Sequence, residues 1–371
     1  MPQLVFGVLI NREWARALAS QEGIFDALMY ARAAEHYGVQ VYFFHPRDVD
    51  LRRQRVQGWI PQPGERWAKQ SVPWPHVFYD QVKLPHLNRT EPLRSVRRRL
   101  RQTAIPLNPV LALPKWQTHQ ALKRYPDTAP LLPHTIICRG PGSMRAMLRQ
   151  HPAILSKPDA GSWGRGICRI SRSGRNRYRL QLSEHNKVWP RLGLLEAYMI
   201  CTSYADPGRL LLQQEIELAE TSQQERSDMR VVISKNRRGE WEMTQGFLRM
   251  ASPGRFTTNW HQGSRNAPLG EGLPLIVPAD EAPAVLADLH QIALLVGSRL
   301  EESIGRMSEI GIDLARDKSG RYWLIEANAA PDKGTGSDDI WEPVPRIFLY
   351  VLDYALYLWE NRASYLSKPS R

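Results

Sequence analysis

The sequence predicts an α/β protein with an N-terminal α/β domain, and three observations carry that prediction. A strand–helix–strand pattern opens the chain, a glycine-rich turn follows an apolar run near its middle, and two hairpin signatures flank a long amphipathic helix in its last third. At 371 residues the chain also exceeds what one compact core usually supports, so two or three subdomains are expected.

Taken in order, Val5 to Ile10 reads as a buried strand, the stretch through Ala27, Tyr30 and Ala34 as a helix, and Val39 to Phe44 as a second strand. Proline and aromatic residues in "GWIPQPGERW" and "SVPWPHVFYDQV" predict an irregular segment returning to a short strand at Val77 to Tyr79. In "EPLRSVRRRLRQ", Leu93, Val96 and Leu100 give a helix one apolar face and leave Arg94, Arg97, Arg98 and Arg101 outside, as a solvated face or a docking surface for an acidic partner. "IPLNPVLALPKW" is a proline-spaced boundary. After it, "KWQTHQALKRY" is helical, "LLPHTIIC" extended, and "GSMRAMLRQHP" a helix with Ser143 near its N-cap. "AILSKP" is a strand feeding Gly161, Gly164 and Gly166, and "GRNRYRLQLSEHNKVW" suits an exposed strand plus a mobile connection. The hairpins are "SDMRVVIS-KNRRGE-WEMTQGFLRM" around Gly239 and "GIDLAR-DKSG-RYWLIEANA" around Gly320. Between them "ADEAPAVLADLHQIALLVGSRLEESI" is a long amphipathic helix, and the stripe in "RIFLYVLDYALYLWENR" is core packing.

Composition narrows the class. A 42% hydrophobic, 23% charged chain is that of an ordinary globular protein. The apolar run "LVFGVLI" lacks a basic leader and is too short to span a bilayer, so no export or membrane role is expected. Cys138, Cys168 and Cys201 form no CxxC, and no HExxH is present; this points to a reducing cytoplasm, to buried apolar cysteines, and away from zinc or a disulfide framework. The net charge of +13 favours an acidic partner, among them phosphorylated small molecules, while no nucleic-acid motif accompanies it.

Two strand pairs and one turn bear chemistry. Period-two alternation puts Tyr322, Leu324, Glu326 and Asn328 on one face of the last strand, and a four-residue turn at Asp317 to Gly320 makes Asp313 diagonal to Glu326. Two buried carboxylates need a cation, and a magnesium ion with phosphate oxygens fits a D...E-x-N face; a solvent-facing hairpin is the alternative. With a turn at Asn236 to Gly239, Asp228 and Arg230 share a face with Phe247 and Arg249, and Arg249 is diagonal to Asp228. Such guanidinium groups grip phosphate or carboxylate, or simply form a cross-strand ion pair. Lys157 beside the glycine turn follows the logic of a phosphate cradle, although neither GxxxxGK[ST] nor GxGxxG is present.

In this order and spacing, "LSKPDAGSWGRGI", "DMRVVISKNRRGEW", "FTTNWHQGS" and "GIDLARDKSGRYWLIEANAAP" resemble the ATP-grasp superfamily and, within it, the YheC/YheD-type endospore coat-associated proteins. The match runs from Lys115 to about Asp332. The resemblance implies an ATP-grasp fold in which two α+β lobes hold a nucleotide between them: a pre-grasp domain at 1–108, an N-lobe with a glycine-rich lid at 109–212, and a C-lobe with the metal site and a C-terminal helix at 213–371. It implies that Lys115, Lys157, Gly161, Ser162, Gly164 and Gly166 hold ATP phosphates and that Gln213, Gln214 and Ile216 line the adenine, with an acidic residue displaced to Glu215. Asp313, Glu326 and Asn328 would hold Mg2+ or Mn2+, and Arg230, Arg249 and Asn259 would face the transferred phosphoryl group and the acceptor. The implied activity is ligation of a carboxylate to an amine or thiol through an acylphosphate, in the cytoplasm and in association with spores. A nucleotide-binding assembly protein or a small-molecule kinase are the alternatives. Two departures from the pattern fall on the acceptor side: Ser264, after Gly263, stands where the loop that begins at Asn259 has its second glycine, and Asp332 replaces the glycine after Pro331.

Overall fold

The computed structural model describes residues 3–82, 91–161, 164–205, 209–259, 263–333 and 344–366. The first part runs β1 (Val5–Leu9), α1 (Arg12–Ala19), α2 (Phe25–His36), β2 (Gln40–Phe44), β3 (Val49–Asp50), β4 (Arg55–Gln62), β5 (Arg66–Val72), β6 (Val77–Asp80), α3 (Leu93–Thr103) and β7 (Ile105–Pro106). The middle runs α4 (Lys115–Leu122), β8 (Thr135–Ile137), α5 (Pro141–Gln150), β9 (Ala153–Pro158), β10 (Cys168–Gly174), β11 (Arg177–Leu182), β12 (Val188–Leu192), α6 (Leu194–Ser203) and β13 (Leu210–Gln214). Then follow β14 (Ser227–Lys235), β15 (Trp241–Met250), β16 (Arg265–Pro268), α7 (Leu269–Gly272), α8 (Ala282–Ile304), β17 (Glu309–Arg316), β18 (Tyr322–Asn328), α9 (Arg346–Glu360) and α10 (Ala363–Leu366).

These strands form three sheets. The first has the order β3-β4-β2-β1-β6-β7, with β5 on β4, and β1 runs parallel to β2 and β6. Every residue of β1 is buried, because helices cover both faces of the sheet. Phe6 and Val8 pack with α2 and with α9, whereas Val5 and Leu9 pack with Leu93, Val96 and Leu100 of α3. A helix from late in the sequence thus completes the core of the first sheet, and it also touches β14 and β15.

The second sheet, β12-β11-β10-β9-β13-β8, buries one face against α5 and α6. All three cysteines belong to that core, Cys168 and Cys201 buried and Cys138 half-buried. The third sheet, β16-β15-β14-β17-β18, packs one face on α8. The other faces of these two sheets look across a cavity.

Three local expectations need correction. The proline-rich segment forms the β4–β5 hairpin, turning at Gly64 (φ +73°) and Glu65 (φ +57°). Pro61 is tolerated there because β2 pairs with β4 only at Trp59, so its missing N–H breaks no ladder on that side. Helix α5 starts at Pro141 with Gly140 as its cap, and Ser143 Oγ instead accepts the Arg139 N–H (3.1 Å). Arg97 is not outside: its guanidinium is largely buried on Asp80 (3.0 Å) and the Val82 carbonyl (3.0 Å), while Arg94, Arg98 and Arg101 remain exposed.

Candidate active site

Two β-bulges set how the residues around the cavity are paired and, on the last strand, which of them face it. Along β14 and β15 the register shifts between Val232 and Ile233, leaving Thr244 unpaired, and the turn spans Asn236 to Glu240. Arg249 therefore lies directly opposite Asp228 rather than diagonal to it. Along β17 and β18 the same happens at Ile325, and Asp313 lies directly opposite Glu326. The extra residue flips the alternation: Tyr322, Leu324 and Ala327 pack on the α8 core, while Ile325, Glu326 and Asn328 line the cavity. The single shared face expected for Tyr322, Leu324, Glu326 and Asn328 does not exist, because alternation fails where two residues oppose one.

The cavity has a volume of about 400 Å³. Its lining includes Lys115, Lys157, Gly161, Gly164, Gln213, Gln214, Ile216, Arg230, Arg249, Asn259, Asp313, Glu326 and Asn328. Gly166 lies outside the lining, and Ser162 lies outside the described residues. At Gly166 (φ +69°) an added Cβ would come within 2.5 Å of the Tyr204 carbonyl oxygen, so the absent side chain there serves close packing on the end of α6. Its N–H is donated to Glu184 (3.2 Å).

Cations and carboxylates alternate across the cavity. Arg230 makes a two-pronged ion pair with Asp313 through Nε and Nη2, and Arg249 Nη2 reaches the same carboxylate at 3.0 Å. Arg249 also holds Asp228 through Nε (2.6 Å) and Nη2 (2.7 Å), and Thr258 donates to that aspartate at 2.6 Å. Burial pushes Asp228 above the ordinary carboxylate range, with Arg249 opposing it. Burial acts the same way on Asp313, but there the two guanidinium groups outweigh it and hold the carboxyl low.

On the opposite wall Lys157 is buried and donates to Gln213 Oε1 at 2.6 Å, and Gln213 is itself tied to Thr135 Oγ1 at 3.1 Å. Burial lowers the Lys157 ammonium to about 8; Glu326 partly offsets this, and Lys115 adds to it. Lys115 donates to the Gly161 carbonyl (3.0 Å) and stands 3.4 Å from Glu326. Ile216 joins Ala315, Trp323 and Ile325 in a small apolar cluster. Glu215 clamps Arg169 (2.7 Å) and Arg226 (2.8 Å); burial raises its carboxyl, and the two arginines more than reverse that.

Sequence reasoning passed over several residues that shape the cavity. Arg226, Thr258 and Phe256 line it, yet only the "FTTN" stretch carried any signal for the last two. The segment Ala330, Pro331 and Asp332 forms part of the wall, and it is anchored at both ends. Asn108 Nδ2 donates to the Ala329 carbonyl, and Lys333 Nζ to Glu309, whose other oxygen accepts from Tyr79 Oη of β6. Lys333 and Glu309 are buried, so a charged pair ties this wall to the first sheet. Ser264 is buried with its hydroxyl unpartnered among the described residues.

Asp313, Glu326 and Asn328 offer two carboxylates and an amide oxygen on facing strands of one cavity, a hard-oxygen set that suits magnesium completed by phosphate oxygens. Among the described residues no cluster of three or more His, Cys, Asp and Glu is placed to hold a metal, so a ligand's own oxygens would have to contribute. No helix among the described residues is long and apolar enough to cross a membrane.

Comparison with known proteins agrees with this architecture. The profile of the YheC/D like ATP-grasp family matches residues 105–358. Two endospore coat-associated proteins of Bacillus subtilis (strain 168) are similar: YheD, 25% identical over 304 residues, and YheC, 22% identical over 311. The alignment covers 81% of this chain and 66% of YheD, just under two thirds of that protein, and 82% of this chain and 84% of YheC. Among solved structures, D-alanyl-alanine synthetase A from Vibrio cholerae superposes with a TM-score of 0.57 at 12% identity, covering 97% of this chain and 100% of that one.

Proposed function

Because the chain belongs to the YheC/D-like ATP-grasp family, we propose that it is an ATP-dependent ligase joining a carboxylate to an amine or thiol through an acylphosphate. The observation that carries the reading is the meeting of Lys115, Lys157, Arg230 and Arg249 with Asp313, Glu326 and Asn328 around one cavity. Lys115 and Lys157 would bind the phosphates, with Gly161 and Gly164 keeping the backbone above them open. The Ile216 cluster, with Gln213 and Gln214, would seat the base. Asp313, Glu326 and Asn328 would hold magnesium or manganese, which when bound neutralises phosphate charge.

In this reading an acceptor carboxylate oxygen attacks the γ-phosphorus and ADP leaves. An amine then attacks the acyl carbon, phosphate leaves, and the nitrogen sheds a proton. No protein nucleophile is needed: Arg230, Arg249 and Asn259 would orient the acceptor and stabilise the charge developing on the phosphoryl group. The fixed, water-poor setting of the arginines, already oriented by Asp228 and Asp313, makes that stabilisation cheap in reorganisation.

The test supplies ATP, magnesium and a metabolite extract, follows ADP and phosphate, and searches for condensed products by mass spectrometry. Product is expected with the native chain and none with Glu326→Gln. Undiminished turnover by that variant would refute the assignment. The names of YheD and YheC favour a second reading, a nucleotide-binding component of a spore assembly. Nucleotide binding without product from any pool decides for it, whereas a stable phosphorylated product decides for a kinase.

A further inference from the structure

The positive charge of this chain is not spread evenly. Between Arg165 and Arg191 lie eight cationic side chains and one carboxylate, Glu184, so this stretch holds more than half of the net +13. It folds as β10, β11 and β12, at the outer edge of the second sheet. Tyr178, Leu180 and Leu182 of β11 point into the core beneath α5 and α6, which places Arg177, Arg179 and Gln181 on the opposite face. Arg175, Arg177, Arg179, Lys187 and Arg191 are all exposed, and among the described residues none of the five is ion-paired to a carboxylate.

This face is continuous with the cavity. Arg169 lies directly opposite Gln181 and clamps Glu215, a lining residue; Gln181 reaches the Gly254 carbonyl at 3.2 Å, and the row continues outward to Arg179 and Arg177. Unpaired arginines at this density repel one another, and an anionic partner would relieve that cost. Guanidinium forks match carboxylates two oxygens at a time. A nucleic acid strand would want stacking platforms, but among the described residues of β10–β12 Trp189 lies opposite Leu180 on the core side, with Lys187 Nζ 4.7 Å from its centre.

We infer that the outer face of β10–β12 is a docking surface for an acidic polypeptide, which it holds beside the cavity so that one carboxylate of the bound chain can enter. The entry of that carboxylate rests on the ligase reading of the cavity; the docking itself does not. The experiment uses the full chain and a fluorescently labelled oligoglutamate peptide at low salt, read by anisotropy. Binding is expected, weakening steeply as salt rises. The triple variant Arg177→Glu, Arg179→Glu, Arg191→Glu should bind about tenfold or more weakly, while its ADP affinity, measured by calorimetry, stays unchanged. If that variant fails to fold, Arg179→Gln with Arg191→Gln supplies the same comparison at smaller effect. Lys157→Met should still bind the peptide, so failure of the ligase reading leaves this result standing. Absence of peptide binding at low salt, equal binding by the charge-reversed chain, or tighter binding of a single-stranded oligonucleotide of equal charge would each overturn the inference.

Discussion

Lys157→Met separates what the buried ammonium costs from what it does. Burial moves its pKa from 10.5 to about 8, a gap worth roughly 3 kcal/mol at about 1.4 kcal/mol per pH unit. Below pH 8 the lysine is charged in both folded and unfolded chains, and the folded state bears the whole penalty. Between pH 8 and 10.5 the unfolded chain keeps its proton and the folded chain gives it up, so stability rises with pH across that window. Methionine does not titrate, and every other group is common to both proteins. Native-minus-variant stability from urea melts should therefore be flat near pH 7 and climb by about 2 kcal/mol between pH 8 and 10. A flat or falling difference across that range would show that Lys157 is not buried as a strained ammonium. It would remove the reason to regard Lys157 as a charge waiting for an anion.

Two further outcomes follow from packing. Gly166→Ala should cost about 1–3 kcal/mol, seen as a lower urea midpoint, because the added Cβ meets the Tyr204 carbonyl at 2.5 Å and φ is +69°; an unchanged midpoint would refute the close approach. Lys333→Met should cost about 3–5 kcal/mol by stranding the buried Glu309 carboxylate, and adding Glu309→Met should recover much of that loss; equal melts for the single and double variants would show that the pair is not coupled.

Much of the cavity lining was legible because it sits on regular strands. Arg230 within "DMRVVIS" and Asp313 within "GIDLAR" are placed by alternation, and Lys157 by its position at the end of an apolar run beside the glycine turn. What alternation cannot reveal is the extra residue at Thr244 and at Ile325, since neither is a glycine or proline that would mark the bulge; the first brings Arg249 directly opposite Asp228, and the second changes which side chains of the last strand look into the cavity. The β4–β5 hairpin was hidden because its prolines read as breakers, although Pro61 occupies a position with no pairing lost. The Tyr79–Glu309–Lys333 connection was hidden for another reason: Tyr79 stands 230 residues from Glu309, and only the tertiary fold makes them neighbours.

The helix Arg346–Glu360, lying on strands made near the start of the chain, has a bearing on biosynthesis. On the ribosome, Phe6, Tyr30 and Phe43 emerge long before Phe348, Val351 and Leu352 exist to cover them. That sheet stays partly uncovered, and prone to association, until the helix at Arg346–Glu360 has been made. For this sheet, residues translated early are among those covered late.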